Sequence, residues 1–263
     1  MRYRARVEYD GTEFCGFQSQ REGRTVQGEL ESALARLSDG RRIRVDGAGR
    51  TDAGVHASGQ VIAFTYQGRL PREELRQALD AILPRDIALG PLVRVGLGFQ
   101  PRYAARQREY RYTIRTGTRS PLHERFALWV RGTLDVEAMD TAARLLIGRH
   151  DFSAFGGWHR QPIRTLHWVR IRRFRQTITI DVVGDAFLRQ MVRSIVAALL
   201  RIGRGEATAE DLAAALRSQE RAFAGAIAPP HGLSLRRVRF EPAAGRRNAT
   251  TDDDDEDLQP QSE

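Results

Sequence analysis

The chain contains no lysine, so all 42 of its basic residues are arginine. A genome rich in G and C spells basic residues this way. A planar guanidinium is also the side chain that binds phosphate bidentately and stacks on bases. Cysteine is almost as scarce. Cys15 stands alone, which excludes an intrachain disulfide and any thiolate cluster of the zinc-finger type. Long apolar runs are missing too: the stretch 194–200 stops at Arg201, far short of the roughly 18 residues that cross a bilayer. No membrane span is expected. Met1-Arg2-Tyr3-Arg4-Ala5-Arg6 alternates charged with apolar residues and so lacks the apolar core of a secretory signal, which makes the cytoplasm the expected location.

What the chain does have is length and positive charge. Its 263 residues, 41% of them hydrophobic, suffice to bury roughly 70 to 75% of the unfolded surface, in one large domain or two coupled ones. The net charge is +9, but residues 246–263 hold two Arg against seven acids, a net of −5, which leaves +14 on residues 1–245. An excess of that size implies a polyanionic partner.

Tyr3, Ala5, Val7 and Tyr9 alternate with Arg4, Arg6 and Glu8, the period of a half-buried strand, and Asp10-Gly11 marks a turn after it. Val26, Leu30, Ala33, Leu34 and Leu37 recur at helical spacing, as do Leu75, Leu79 and Ile82 after Pro71. Strands are expected at 43–45 and 61–64, with a glycine-rich loop between them. A second series starts near Glu109: a strand with Tyr110, Tyr112 and Ile114 on one face, a helix over 136–147, strands over 166–174 and 177–183, and an apolar helix over 187–202. Thr208 and Asp211 make a capping box for a further helix, and 233–240 closes the sheet. This is an α+β pattern: two ferredoxin-like α/β halves with mainly antiparallel sheets, at 1–105 and 106–242, enclosing a central cleft. The acidic block 252–257 places a disordered tail at 243–263.

The loop 47–56 concentrates glycine, Arg50, Asp52 and His56. A dinucleotide-binding reading fails, because the third glycine it needs falls on Asp52 and no helix pattern follows. Two readings remain: a turn in which Asp52 accepts backbone hydrogen bonds, or a carboxylate held for chemistry. Arg189 and Arg193 are four residues apart on the expected apolar helix, hence on one face. A guanidinium in those surroundings either pairs with an acid such as Asp52, keeping it ionised, or bonds helix-end carbonyls, or reaches solvent along its stem.

The run Gly49-Arg50-Thr51-Asp52-Ala53-Gly54-Val55-His56 resembles the signature of the tRNA pseudouridine synthase A family, and further motifs follow in the family's order. They are Tyr9-Asp10-Gly11-Thr12 with Phe14, Gly16, Phe17 and Gln18; Thr25-Val26-Gln27-Gly28; Tyr110-Arg111-Tyr112; His150-Asp151-Phe152-Ser153-Ala154-Phe155; Met191-Val192-Arg193; and Gly232-Leu233 with Leu235. The resemblance spans 3–240. It implies an isomerase that converts uridine to pseudouridine at positions 38 to 40 of the tRNA anticodon stem-loop, with Asp52 as the catalytic carboxylate. Attack on the ribose C1′ and removal of its 2′ proton both remain open to that group. By the same resemblance Tyr110 stacks on the target uracil, Arg193 pairs with Asp52, Arg50 helps hold the flipped nucleotide, and the protein is a homodimer with each tRNA lying across both subunits. No cofactor is needed for a reaction without net redox change.

Other polar residues carry lesser expectations. His56 is a hydrogen-bonded structural residue, Asp10-Gly11 a turn on the RNA side, and Tyr112 a packing residue. Arg102, Arg106, Arg108 and Arg111 form a basic stretch that either grips phosphates or lines a solvated strand edge. The histidines at 150, 159, 167 and 231 show no metal spacing, so no metal is expected. Two alternatives to the isomerase are a silent RNA-binding module and a phosphate-binding nucleotide enzyme. Both place an acid, Asp52, where phosphate would be repelled.

Overall fold

Tyr3, Ala5, Val7 and Tyr9 are all buried, while Arg6 and Glu8 between them are exposed, so the first strand lays one apolar face on a core and turns the other outward. It belongs to a computed structural model that describes residues 1–219 and 227–240. The acidic block and the tail expected at 243–263 lie outside the described residues. The elements in chain order are β1 (Arg2–Tyr9), α1 (Val26–Arg36), β2 (Val45–Gly47), β3 (His56–Thr65), α2 (Arg72–Ile82), β4 (Ile87–Leu89), β5 (Val93–Val95), the single turn α3 (Pro101–Ala104), β6 (Ala105–Arg115), the single turn α4 (Pro121–Glu124), β7 (Leu128–Trp129), α5 (Val136–Arg144), β8 (Gly148–Asp151), β9 (Ile163–Phe174), β10 (Thr177–Gly184), α6 (Met191–Gly203), α7 (Ala209–Ser218) and β11 (Leu233–Phe240).

The strands form one eleven-stranded sheet in the order β4-β1-β3-β11-β6-β10-β9-β8, with β2 on β3, β5 on β1 and β7 on β6. Pairing is antiparallel except where β11 meets β3 and β6 meets β7. The α+β class with a mainly antiparallel sheet is therefore as expected. Because β11 hydrogen-bonds to both β3 and β6, a single sheet runs across residue 105. Register stacks Leu235, Tyr110 and Val182 across three strands, and Leu233, Tyr112 and Ile180 beside them; all six are buried. Their neighbours Arg111 and Asp181 point to the opposite face and form an ion pair at 2.6 Å.

Helix α6 is apolar around almost its whole circumference, with Met191, Val192, Ile195, Val196, Ala198, Leu199 and Ile202 all buried, the signature of a helix enclosed by protein. Phe152 and Phe155 are fully buried in the same core, and Asp151 caps the intervening turn by accepting from Ser153 N–H at 2.8 Å. The motif at 150–155 thus serves packing. Helix α7 starts at the capping box read from Thr208 and Asp211.

Several boundaries differ from expectation, among them the start of β3, which opens at His56, five residues ahead of the expected strand 61–64. β2 occupies Val45–Gly47, two residues beyond the expected strand, so Gly47 pairs with Ile62 instead of belonging to the loop. α5 ends at Arg144, before the strand β8 opens on Gly148 at φ +111°. α6 begins at Met191, because Gln190 takes a left-handed conformation with φ 64° that an α-helix cannot continue. Arg189 therefore precedes the helix and does not share a helical face with Arg193.

Candidate active site

The loop after β2 is fastened along its length. Ala48 N–H donates to Val61 C=O at 2.8 Å, Phe17 N–H to Thr51 C=O at 3.1 Å, and Gly54 N–H to Phe14 C=O at 3.2 Å. Gln60, wholly buried, donates its amide to Gly49 C=O at 2.9 Å, and the Tyr9 and Thr51 hydroxyls meet at 2.8 Å. Gly11 lies so close to the Val55 carbonyl that no Cβ would fit there, which explains a glycine in the Asp10-Gly11 turn. Gly54 combines φ +75° with contact to Pro230, where a Cβ would stand 2.8 Å from Cγ. These restraints leave Asp52 standing out of a rigid loop with about a quarter of its side chain (26%) in solvent.

Arg193, in the first turn of α6, reaches Asp52 across 141 positions of sequence, with Nη1 to Oδ2 at 3.3 Å. Its Nε donates to Ala228 C=O at 2.7 Å, and Ala228 N–H returns a bond to Arg193 C=O at 3.2 Å. The guanidinium thus combines the two interior options: an acid partner and a backbone carbonyl, here from a loop. That loop, 228–232, is clamped again by the Tyr112 hydroxyl, which donates to Pro229 C=O at 2.8 Å. Tyr112 is buried and bonded here, in keeping with a packing role.

Tyr110 is buried and meets Phe187 edge-on at 5.1 Å between centroids. Burial pushes its phenol up to about 12, the Asp52 charge acts in the same direction and Arg108 opposes it. Tyr110 therefore enters any reaction near neutral pH as the intact phenol. Arg50 is exposed and has no ion pair with a described residue. So the structure brings Asp52, Arg193 and Tyr110 together and leaves Arg50 exposed.

The basic stretch divides. Arg108 is buried and donates to Ala48 C=O at 2.9 Å and Arg102 C=O at 2.7 Å, as well as to Asp185 C=O. Burial lowers its pKa. It is a cross-link between three segments, and Arg111 is spent on Asp181. Arg102 and Arg106 remain exposed. Sequence reasoning also passed over the 228–232 loop and Gln60; the only local signal was Pro229-Pro230 just before the Gly232-Leu233 motif.

His56 ties the loop to its surroundings. Gly11 N–H donates to Nδ1 at 3.0 Å, which leaves Nε2–H to donate to His231 C=O at 3.1 Å. Burial lowers its pKa, against the pull of Asp10, whose Oδ1 lies 3.1 Å from Nδ1. Burial lowers the pKa of His231 as well. A histidine whose folded pKa is depressed binds more protons when unfolded, so stability is present above the ordinary value of about 6.5 and is lost as pH falls below it. Denaturant midpoints should therefore be flat between about pH 8 and pH 7, decline towards about pH 5.5, and decline less steeply in His56→Gln. A wild-type midpoint that rises on acidification would contradict this assignment. Among the described residues no group of three or more His, Cys, Asp or Glu is placed to hold a metal, and no helix is long and apolar enough to cross a membrane.

A family described as tRNA pseudouridine synthase matches residues 5–104 and 142–241. The chain belongs to this family. It is 44% identical to the tRNA pseudouridine synthase A of Thermosipho melanesiensis over 91% of this chain and 99% of that protein, and 41% identical to that of Halalkalibacterium halodurans over 94% and 95%. A solved structure, "Structure of H/ACA RNP bound to a substrate RNA containing 2'-deoxyuridine", aligns with 75% of this chain and 44% of its own at 10% identity and a TM-score of 0.35. The pseudouridine synthase match runs through Asp52 in its first segment and Arg193 in its second, so the two groups that meet at 3.3 Å come from its two parts. Pseudouridine synthases are isomerases, and Asp52, in the first matched segment, is partly open to solvent.

Proposed function

We propose that the protein isomerises uridine at positions 38 to 40 of the tRNA anticodon stem-loop, using Asp52 as the carboxylate that opens the glycosidic bond. The observation that carries this reading is the placement of Asp52: partly open to solvent, on a loop fixed at both ends, with Arg193 at 3.3 Å. The bond from uracil N1 to C1′ breaks, C1′ joins C5, the C5 proton leaves and N1 gains one, so atoms balance without a redox partner. Asp52 either bonds transiently to C1′ or takes the 2′ proton. The target atoms are stacked within RNA, so the nucleotide must be turned out of the stack to reach Asp52. Tyr110 offers its ring to the extruded base. As an intact phenol, it gives up a proton for any that it takes from C5. Arg50, exposed two residues before Asp52, holds the strand that the base has left. The positions and the homodimer with each tRNA across both subunits follow from the sequence resemblance.

The test is a set of tRNA transcripts with uridine at 38, 39 or 40 singly, incubated with the protein alone and mapped by mass spectrometry. Pseudouridine is expected at those positions and at no uridine outside the anticodon stem-loop. Modification confined to another arm of the tRNA would overturn the site assignment while leaving the isomerase intact.

A further inference from the structure

Trp158 is 92% exposed, more than any other large apolar side chain among the described residues. A tryptophan that packs buries roughly 150 to 250 Å², so this ring forgoes a large hydrophobic gain in the isolated chain. The backbone that displays it is nevertheless pinned. Gly157 N–H donates to Arg189 C=O at 3.0 Å, and Phe152 N–H to Pro162 C=O at 3.3 Å. Gly156 is wedged against Leu188, where a Cβ would fall 2.5 Å from the leucine Cβ. On the far side of the ring, Gln161 N–H donates to His159 Nδ1 at 3.0 Å and Arg164 Nη1 donates to Gln161 C=O at 2.7 Å. A ring on fixed backbone has less freedom to lose when something settles on it.

The anchor point places the ring near the chemistry. Arg189, whose carbonyl holds Gly157, lies four residues ahead of Arg193, whose guanidinium holds Asp52. The Arg189 stem runs alongside Gly157, where a Cβ would be 3.5 Å from the arginine Cβ. Arg160 follows two residues after the ring. Both arginines are exposed, and neither forms an ion pair with a described residue. An aromatic face between unpaired guanidiniums is suited to single-stranded nucleic acid: the ring stacks on a base and the cations meet the flanking phosphates. A protein partner would call for a wider apolar surface, whereas the ring's chain neighbours are His159, Arg160 and Gln161.

We propose that Trp158, with Arg160 and Arg189, forms an RNA-binding lip beside the Asp52 site, on which a base of the substrate other than the target uridine stacks. This rests on the reading that RNA is brought to Asp52. Trp158→Ala should raise KM for tRNA about tenfold, in the range lost when a base-stacking aromatic is truncated. It should leave kcat at saturating tRNA and the melting temperature unchanged, and Trp158→Phe should recover most of the loss. In a Trp129→Phe, Trp168→Phe protein, Trp158 is the sole indole emitter, and saturating tRNA should quench it. Unchanged KM in Trp158→Ala, together with emission indifferent to tRNA, would overturn the lip. So would emission that shifts with protein concentration in the absence of RNA, because the ring would then face a second copy. If the wild type makes no pseudouridine at all, the enzymatic reading fails, and quenching by tRNA still decides the lip.

Discussion

Replacing Asp52 with Asn is expected to lower pseudouridine formation by about a thousandfold or more while leaving the protein folded and able to bind tRNA. Asn keeps the shape of the side chain and an oxygen for Arg193, but it carries no charge and is a poor nucleophile and a poor base. Loss of a group that acts on the reacting atoms commonly costs several orders of magnitude in kcat. The structural cost is small by comparison. Asp52 makes one ion pair at 3.3 Å with a quarter of its side chain in solvent, a setting in which such pairs contribute about 1 kcal/mol or less. Tritium release from tRNA labelled at uracil C5, with no cofactor or metal added, reads the effect directly. Release by the wild type alone, with equal tRNA affinity in both proteins, is the expected result. Equal release by both would remove Asp52 from the mechanism.

Arg193→Met should reduce kcat about a hundredfold and lower the melting temperature as well, a combination that distinguishes it from the Asp52 substitution. The methionine keeps much of the buried volume but removes two hydrogen bonds at once, to Asp52 and to Ala228 C=O. A buried carbonyl left without a donor costs about 1 to 3 kcal/mol, which in a chain of this size corresponds to roughly 3 to 10 °C. The loop 228–232 would lose a clamp, and Asp52 the cation that orients it. Arg193→Lys restores the charge but lacks the planar fork needed to hold both partners, so it should recover part of the rate and little of the stability. Full activity in Arg193→Met, measured by the same tritium release, would show that the pair is structural only.

The parts of the fold legible in the sequence are those with local periodicity. The alternation in β1 and β6, the paired strands β9 and β10, the apolar stripe of α1 and the Thr208 capping box each depend on residues within a few positions of one another. Elements of two to four residues, such as β4, β5 and β7, present no full period and were not anticipated. Arg108 illustrates the other limit. Nothing adjacent to it distinguishes it from Arg106, yet carbonyls from residues 48, 102 and 185 converge to bury one and leave the other in solvent. The start of α6 was misplaced because a glutamine can adopt a left-handed φ when its surroundings demand it, and Gln190 carries no local mark of doing so. For the site, the residues pointed to a loop acid and an interior arginine. Their pairing stood as one of three options for the arginine, and only the family resemblance singled it out, since 141 residues separate the two.

The position of β11 has a consequence for synthesis of the chain. Among the described residues β3 and β6 are joined in the sheet only through β11, so a nascent chain that has not yet released residues 233–240 holds two groups of strands with no strand pairing between them, one leading to Asp52 and the other to Arg193. The loop that holds Arg193 at Ala228 also immediately precedes this strand. Pairing over such sequence distances is slow, because the entropy of closing the loop is lost before any contact compensates it. The Asp52–Arg193 ion pair therefore spans two strand groups that only the last described strand brings into one sheet.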